Sequence, residues 1–506
     1  MTLKSILSKT RQFFSALTKK AVLDALMKLQ KDFKDLDARY KALKQENAEL
    51  KAQLQKKKIE DVNKIANKPS SKHPEWDKTG AKPTTANNTP PKKSSRKRQA
   101  RKGAGNKAKL REPEKTEKAK VDACEDCGKS LKNKAPLPTS NERLIEDIPE
   151  PPEETEFVKI IQEKKYCNTC QRVNTAKSER ALPGADIGLN ASVLMCYLWV
   201  ALCLPFTKIM DYFDSFYGFK LSTTGLSKHV ILVANAMKTV HEEILQDVQT
   251  GVTLFADETG WRVKGNPWWL WVFGTARSAY FTLDKSRGSD VVRRVLGEIF
   301  LGVLVVDGWS AYFSLICEKQ TCMAHVFRKI KKLREAFPEL VSIGRFHIKL
   351  RRIIIDGEKL QKQRKKLGET ICQRRLLRLH DRLELLLQWK NPNEILAEII
   401  KKVKRKQPRI LTFVEHEDVP SNNNYAERLI RIGVLKRKVS GGSMSAEGAH
   451  AYAVLLSVYV TCRLRNIAFR KFLKESLITY IKTGEPLLLN EYEAIFADDI
   501  PLQKAA

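Results

Sequence analysis

No stretch of this 506-residue chain is apolar for long enough to cross a bilayer. The longest candidate, residues 191–206, falls short of the roughly 20 residues that a spanning helix needs, and Pro205 closes it. A buried helix is the expectation there, with no membrane role. Phe13–Leu17 is too short and too lysine-flanked for an apolar signal core, so no secretory leader is expected. A reducing cytosol, in a bacterial cell close to the nucleoid, is therefore the expected compartment. Acid is scarce: Asp and Glu number 58 against 92 Lys and Arg, giving a formal net charge of +34 and a pI near 9.7. A merely soluble or ribosome-associated basic protein would satisfy that balance. The surplus falls in patches, however, which favours a polyanionic nucleic-acid partner. Cysteines at ligand spacing are few. Cys196, Cys203, Cys317, Cys322, Cys372 and Cys462 sit among apolar residues as ordinary buried thiols.

What is present divides the chain into several domains, as its length requires. Residues 22–54 carry a seven-residue repeat. One seam reads Leu26, Phe33, Tyr40, Asn47, Leu54 and the other Val22, Leu29, Leu36, Leu43, Leu50. That pattern predicts an N-terminal coiled coil over 1–66 and a homodimer or higher assembly on DNA, with Asn47 fixing register, although a single amphipathic helix packed on its own chain fits the same spacing. Residues 67–113, rich in Pro, Thr, Asn and Ser and turning basic at Arg96, Lys97, Arg98, Arg101 and Lys102, are expected to be a flexible linker. Such a run is either solvated charge or a phosphate tether without sequence specificity.

Within 114–182, Cys124-Glu-Asp-Cys127-Gly and Cys167-Asn-Thr-Cys170 are two C-x-x-C knuckles separated by a partly alternating segment. Four thiolates at this spacing suit a structural, tetrahedral Zn²⁺ in a ribbon-like unit better than a redox pair, for which one motif would suffice. Residues 183–250 read as helices, with 206–217, a turn at Gly218 and 222–235 arranged as a helix-turn-helix DNA reader or an ordinary structural corner. Next come strands at 252–256, 268–275 and 279–283, a helix at 289–300 and a strand at 303–306. This order predicts a mixed sheet flanked by helices over 251–329 and 415–470, interrupted by an all-helical insertion at 330–414. Residues 471–506 are read as a C-terminal tail.

Three carboxylates carry the chemistry. Asp257 in A-D-E-T-G-W and Asp307 in V-D-G-W-S-A-Y each follow the last apolar residue of a strand, and Glu427 in N-N-N-Y-A-E-R opens a helix. Singly, such residues are turn caps or surface ion pairs, and Glu258 is an alternative to Asp257. Brought to one sheet edge, they make an oxygen cage for two Mg²⁺ (or Mn²⁺) ions about 4 Å apart, suited to in-line displacement at phosphorus without a separate general base. Arg428, Arg431, Lys436, Arg437 and Lys438, with the loop Ser440-Gly441-Gly442-Ser443, are candidates for gripping nucleic-acid phosphates. Trp261 and Trp309 are candidates for stacking on unpaired bases. Trp268, Trp269 and Trp271 read as core, and Cys322-Met-Ala-His325 as structural.

The ordered set of motifs, including C-x-x-C-G, L-S-T-T-G-L-S-K-H-V, A-D-E-T-G-W, V-D-G-W-S-A-Y, C-M-A-H, N-N-N-Y-A-E-R-L-I-R and A-Y-A-V-L-L-S-V-Y-V-T-C-R, resembles the IS66-type insertion-sequence transposases over roughly residues 20–470. These belong to the DDE superfamily with an RNase H-like core. The resemblance implies that Asp257, Asp307 and Glu427 form the catalytic triad. The implied activity is cleavage at the element's ends and joining of the freed 3′-hydroxyls to target DNA, with accessory proteins of the same element as possible partners. A repurposed or inactive zinc-containing DNA binder and an RNase H-like nuclease are the alternatives. The ending D-D-I-P-L-Q-K-A-A departs from the tryptophan-containing terminus expected of that family.

Overall fold

The computed structural model describes residues 121–134, 151, 154–390 and 392–497. The heptad segment and the basic run Arg96–Lys102 lie outside these. Among the described residues the chain is a mixed α/β protein with seven strands and fourteen helices.

Two compact units contain them. The smaller holds the knuckle Cys124–Cys127 at the tip of a short hairpin, closed by the Ala123–Ser130 bridge and turned by Gly128 at φ 70°. The larger holds nearly everything else. It starts with the hairpin β1 (Lys164–Cys167) and β2 (Arg172–Thr175), whose turn is the second knuckle. Four helices follow: α1 (Leu189–Val200), α2 (Phe206–Tyr217), α3 (Thr223–Ala236) and α4 (Lys238–Gln249). Ser222 caps α3 by accepting from the Gly225 amide at 3.0 Å, so the cap-type residues of L-S-T-T-G do start a helix.

The sheet contains β3 (Thr253–Val263), β4 (Asn266–Gly274), β5 (Ala279–Asp284), β6 (Ile299–Val306) and β7 (Ile316–Thr321) in the order β5-β4-β3-β6-β7. The first three form an antiparallel meander, while β6 and β7 run parallel to β3. A short helix α5 (Ser289–Leu296) makes the crossover to β6; it ends at Gly297 (φ 78°), so the expected helix over 289–300 is shorter and the strand after it longer. β3 is also longer than expected. It continues through Asp257 to Val263 because β4 pairs with it along that whole length.

Strand alternation sorts the two faces. Leu254, Ala256, Leu304 and Val306 pack with α5 and Tyr312, whereas Phe255, Val303 and Val305 pack with the helical insertion. That insertion comprises α6 (Met323–Ala336), α7 (Val341–Leu367), α8 (Glu369–Leu387) and α9 (Glu394–Lys404), followed by a single turn α10 (Thr412–Glu415). The stripe Leu376, Leu379, Leu383 and Leu386 is core, as its spacing predicts.

Helix α11 (Asn424–Ser440) then returns to the sheet and lies on β3 and β4. Gly274 and Gly433 allow this approach, since a Cβ at either would collide with Leu429 or Leu270. Helix α12 (Ala446–Leu464) covers the free edge of β5. Its Ser457 and Thr461 hydroxyls accept from the Phe281 and Ala279 amides at 2.8 and 3.1 Å, which satisfies backbone donors that an edge strand leaves open. The segment expected to be a tail carries helices α13 (Phe469–Thr483) and α14 (Leu489–Ile495), and Glu243 accepts the Leu489 and Asn490 amides at 2.8 and 2.9 Å. Among the described residues no helix is long and apolar enough to cross a membrane.

Candidate active site

Asp257 and Asp307 arise from neighbouring parallel strands in matching register. The last β3–β6 pair is Phe255 with Val305, and each aspartate lies two residues beyond it. Alternation places Asp257 on the Phe255 face, the one on which α11 packs. Asp307 accepts from the Trp309 amide at 2.8 Å in the turn that Gly308 makes at φ 95°. Burial first, and then the charges of Glu258, Asp307 and Glu427, push the Asp257 carboxyl up to about 8. Three acids far apart in sequence therefore sit close enough to act on one another electrostatically.

The local chain explains how α11 is held there. The Cys322 amide bonds to the carbonyl of Val306 at 2.8 Å, and its Sγ accepts from the Asn423 amide at 3.1 Å. Asn423 Nδ2 donates to the carbonyl of Ala256, one residue before Asp257, at 2.8 Å. Asn422 caps the turn by accepting from the Asn424 amide at 3.1 Å. The asparagine run thus joins β3 at Ala256, the end of β6 and the start of α11, and puts Glu427 in the first turn of its helix.

Glu427 faces Arg328 and His325 of α6, with Oε1 at 2.7 Å from Arg328 Nη2 and 3.6 Å from His325 Nε2. Burial first, and then the Arg328 charge, lower the His325 imidazole below its usual value, and its Nδ1 is buried without a hydrogen-bond partner. Lys406 reaches the Asp307 carbonyl at 3.4 Å. With Glu427 turned to Arg328, no group of three His, Cys, Asp or Glu side chains among the described residues converges to metal-ligand distance. Sequence reasoning missed Arg328 and Lys406 and gave His325 only a structural role. C-M-A-H was the one visible sign of them.

Glu258 lies on the opposite face of β3. It accepts from Arg287 Nε and Nη2 at 3.0 and 2.8 Å and from Tyr312 Oη at 2.5 Å. The Arg287 guanidinium is in turn stacked between Trp269 and Trp309, 4.4 and 4.0 Å from their ring centroids. This buried network occupies Glu258 fully.

Several expected DNA contacts are corrected. Lys436 is buried, donates to the Leu204 carbonyl at 2.6 Å and lies over Trp199, and burial lowers its ammonium to about 8. Arg437 is held by Thr259 Oγ1 at 3.1 Å and by the Gly260 carbonyl. Neither cation is free for a phosphate. Trp261 is also core, stacked on Tyr452 with centroids 5.4 Å apart and bonded to Ser443. The loop Ser440–Ser443 pairs with the far end of β3 through Ser443 and Val263, six residues and about 20 Å of strand from Asp257, so it is no phosphate cradle. Arg428, Arg431 and Lys438 remain exposed on α11, and Trp309 on the rim.

The zinc candidates divide between the two units: Cys124 and Cys127 in one, Cys167 and Cys170 in the other. In each knuckle backbone amides surround the first sulfur, those of Cys127 and Cys170 foremost, and hold Cys124 and Cys167 below the usual thiol range. Each hairpin tip fits half of a four-thiolate site.

Fold and site together define a mixed α/β protein with an acidic centre at the rim of its sheet, roofed by a helical insertion. The profile described as Transposase IS66 family matches residues 185–451, more than half of the sequence, and the chain belongs to that family. Relatives occur in Sinorhizobium fredii. The uncharacterized protein y4jO is 32% identical over 84 residues, which are 17% of this chain and 26% of that protein. Uncharacterized proteins y4qI and y4hP are 25% and 23% identical over 314 and 393 residues. The matched segments cover 55% and 70% of this chain and 56% and 70% of those proteins, so the chain spans about half the length of y4qI and a quarter of y4jO.

Proposed function

We propose that the chain is a metal-dependent DDE transposase that cuts insertion-sequence ends and joins their 3′-hydroxyls to target DNA. The observation carrying this reading is the equal offset of Asp257 and Asp307 past one β3–β6 pair, on the face where α11 brings Glu427. The strand order β5-β4-β3-β6-β7, with an antiparallel meander followed by two parallel strands, is compatible with an RNase H-like core and supports it. So does membership of the transposase family.

Two Mg²⁺ or Mn²⁺ ions bound by these acids would activate a water or 3′-hydroxyl and stabilise the leaving oxygen of an in-line displacement. The residues themselves do the positioning. Asp257 presents its oxygens from within β3, just past the last β3–β6 pair, and Asp307 from the end of β6. The asparagine tether fixes the first turn of α11, and release of Glu427 from Arg328 completes the oxygen set. The donors fit a hard cation, because clustered carboxylates otherwise repel and take up protons, as Asp257 does. Arg428 and Arg431 are the α11 cations available to hold phosphates next to this centre, Lys438 would hold them farther along the helix, and Arg96–Lys102 would tether DNA through the linker. The four cysteines would share one structural Zn²⁺, and the heptad segment would pair two copies. A cytoplasmic, nucleoid-bound setting, with accessory proteins of the same element, belongs to this reading.

An in vitro reaction on the inverted repeats flanking the gene, with Mg²⁺, tests it. Wild type should nick the ends and join them to a target, and Asp257→Asn, Asp307→Asn and Glu427→Gln should each lower the rate at least a thousandfold. Equal rates in all four proteins would eliminate the triad. Binding to the ends without any cleavage by wild type would favour a repurposed DNA binder.

A further inference from the structure

The helical insertion carries a cationic face that neither the site nor the core uses. Residues 341–390 contain 14 Lys and Arg against 5 Asp and Glu. Much of this excess lies on α7, a helix of 27 residues and so about 40 Å long. Its inner face is committed: Ile343, Phe346, Leu350, Ile353, Ile354 and Leu360 are buried in the insertion core. On the outer face Arg345, Arg352, Lys359 and Lys366 recur every seventh residue, which sets them in one line about 10.5 Å apart. All four are exposed, and none forms an ion pair with a described residue. The nearby acids are engaged elsewhere: Asp356 with Arg382 at 2.8 Å, Glu358 with Ser421 at 2.6 Å and Glu369 with Arg364 at 2.8 Å. Between the cations stand Ile348 and Ile355, 63% and 39% exposed, where an ordinary solvated helix would place Glu or Gln.

A solvated helix face pairs charges of both signs at spacings of three and four residues, whereas here the acids at those spacings, Asp356 and Glu369, are taken by Arg382 and Arg364 and leave the row uncompensated. A helix lying in a membrane surface would need its apolar side free, and that side is already buried in the core. A rigid row of uncompensated cations with short apolar contacts matches a phosphate backbone, which offers about one negative charge per 1.7 Å of duplex axis. The face holds one exposed amide, Gln363, and its row cations stand about 10.5 Å apart, too far for two of them to read one base edge together, so its grip is set by phosphates and not by sequence.

We propose that the outer face of α7 is a docking surface for duplex DNA of arbitrary sequence, the target or flanking duplex rather than the element end. The assignment of that DNA rests on the transposase reading; the duplex contact itself does not.

Binding of the full chain to a 40-base-pair duplex of arbitrary sequence, followed by fluorescence anisotropy across a salt series, tests it. Replacing Arg345, Arg352, Lys359 and Lys366 together by Ala should weaken binding at least tenfold at 0.1 M salt. It should also reduce the slope of log affinity against log salt by about 3 to 4, near 0.9 for each lost phosphate contact. A second variant exchanging Arg and Lys at the four positions should restore both, and a photo-crosslinker attached at Lys359→Cys should label the duplex. An unchanged slope in a folded Ala variant would overturn the proposal. So would an absent crosslink, or a loss of binding confined to element-end sequences or to vesicles of anionic lipid. Asp257→Asn should leave the slope at its wild-type value, so failure of the cleavage chemistry and failure of this contact are read separately.

Discussion

Glu427 accepts a 2.7 Å hydrogen bond from Arg328, a residue 99 positions earlier in the chain. The acid that would complete the oxygen set therefore has a competing cation as its partner. A charge-assisted bond at half-exposed groups contributes about 1 kcal/mol, so Arg328→Ala should tighten divalent-ion binding roughly fivefold. Mn²⁺ titration followed by electron paramagnetic resonance reads this directly. Weaker binding in the variant would mean that Arg328 orients Glu427 for the ion instead of competing with it.

Asp257 gives a pH signature. Its carboxyl rises from the usual 3.8 to about 8 through burial and the neighbouring acids. The folded state therefore favours its neutral form. The resulting stability is complete below the ordinary carboxylate range and is lost as pH rises through about 8. In chelator, the wild type should become steadily less stable than Asp257→Asn between about pH 4 and pH 8, and the difference should level off above that, measured as the difference in Tm. Divalent-ion affinity should rise over the same interval, because the ion displaces that proton. A Tm difference independent of pH would contradict this account of Asp257.

Glu258 has a structural role instead. It is buried and holds Arg287 and Tyr312, so Glu258→Gln breaks a desolvated pair and should cost about 2–4 kcal/mol by denaturant unfolding at pH 7. A Glu258→Gln variant as stable as wild type, with divalent-ion binding lost, would exchange the roles of the two neighbouring acids.

Gly442 separates a structural junction from a phosphate grip. Its φ is 138°, and a Cβ there would strike the Arg262 carbonyl oxygen. Gly442→Ala should lower stability by about 2 kcal/mol. Ser440→Ala should leave DNA affinity within twofold of wild type, as measured by anisotropy.

The zinc reading has its own check. Cys124→Ser and Cys167→Ser should each remove bound zinc, measured by atomic absorption on protein purified without chelator. Retention of one zinc per chain in both variants would rule out shared four-thiolate binding.

Much of the meander was legible because V-T-L-F-A, W-W-L-W-V-F-G-T and A-Y-F-T-L are dense in β-forming apolar residues. β7 was not, since I-C-E-K-Q-T reads as polar. Its Lys319, Gln320 and Thr321 are nonetheless buried, with Lys319 bonded to the Leu315 carbonyl at 2.6 Å and Gln320 to that of Ile410 at 3.2 Å. The three acids stood out through their local signatures. What surrounds them did not, because Arg328, His325 and Lys406 acquire meaning only when the insertion folds back over the sheet. Composition misled at Lys436 and Arg437: adjacent cations in a helix suggest phosphate binding, yet one is buried against Trp199 and the other ties α11 to β3.

Convergence of Asp257, Asp307 and Glu427 on one divalent-ion pocket is read out by the Mn²⁺ stoichiometry of wild type and the three single variants, Asp257→Asn, Asp307→Asn and Glu427→Gln, in the presence of duplex. The account predicts two ions in wild type and loss of at least one in each variant, with the fold retained. Unaltered stoichiometry and affinity in the Glu427→Gln protein would contradict it.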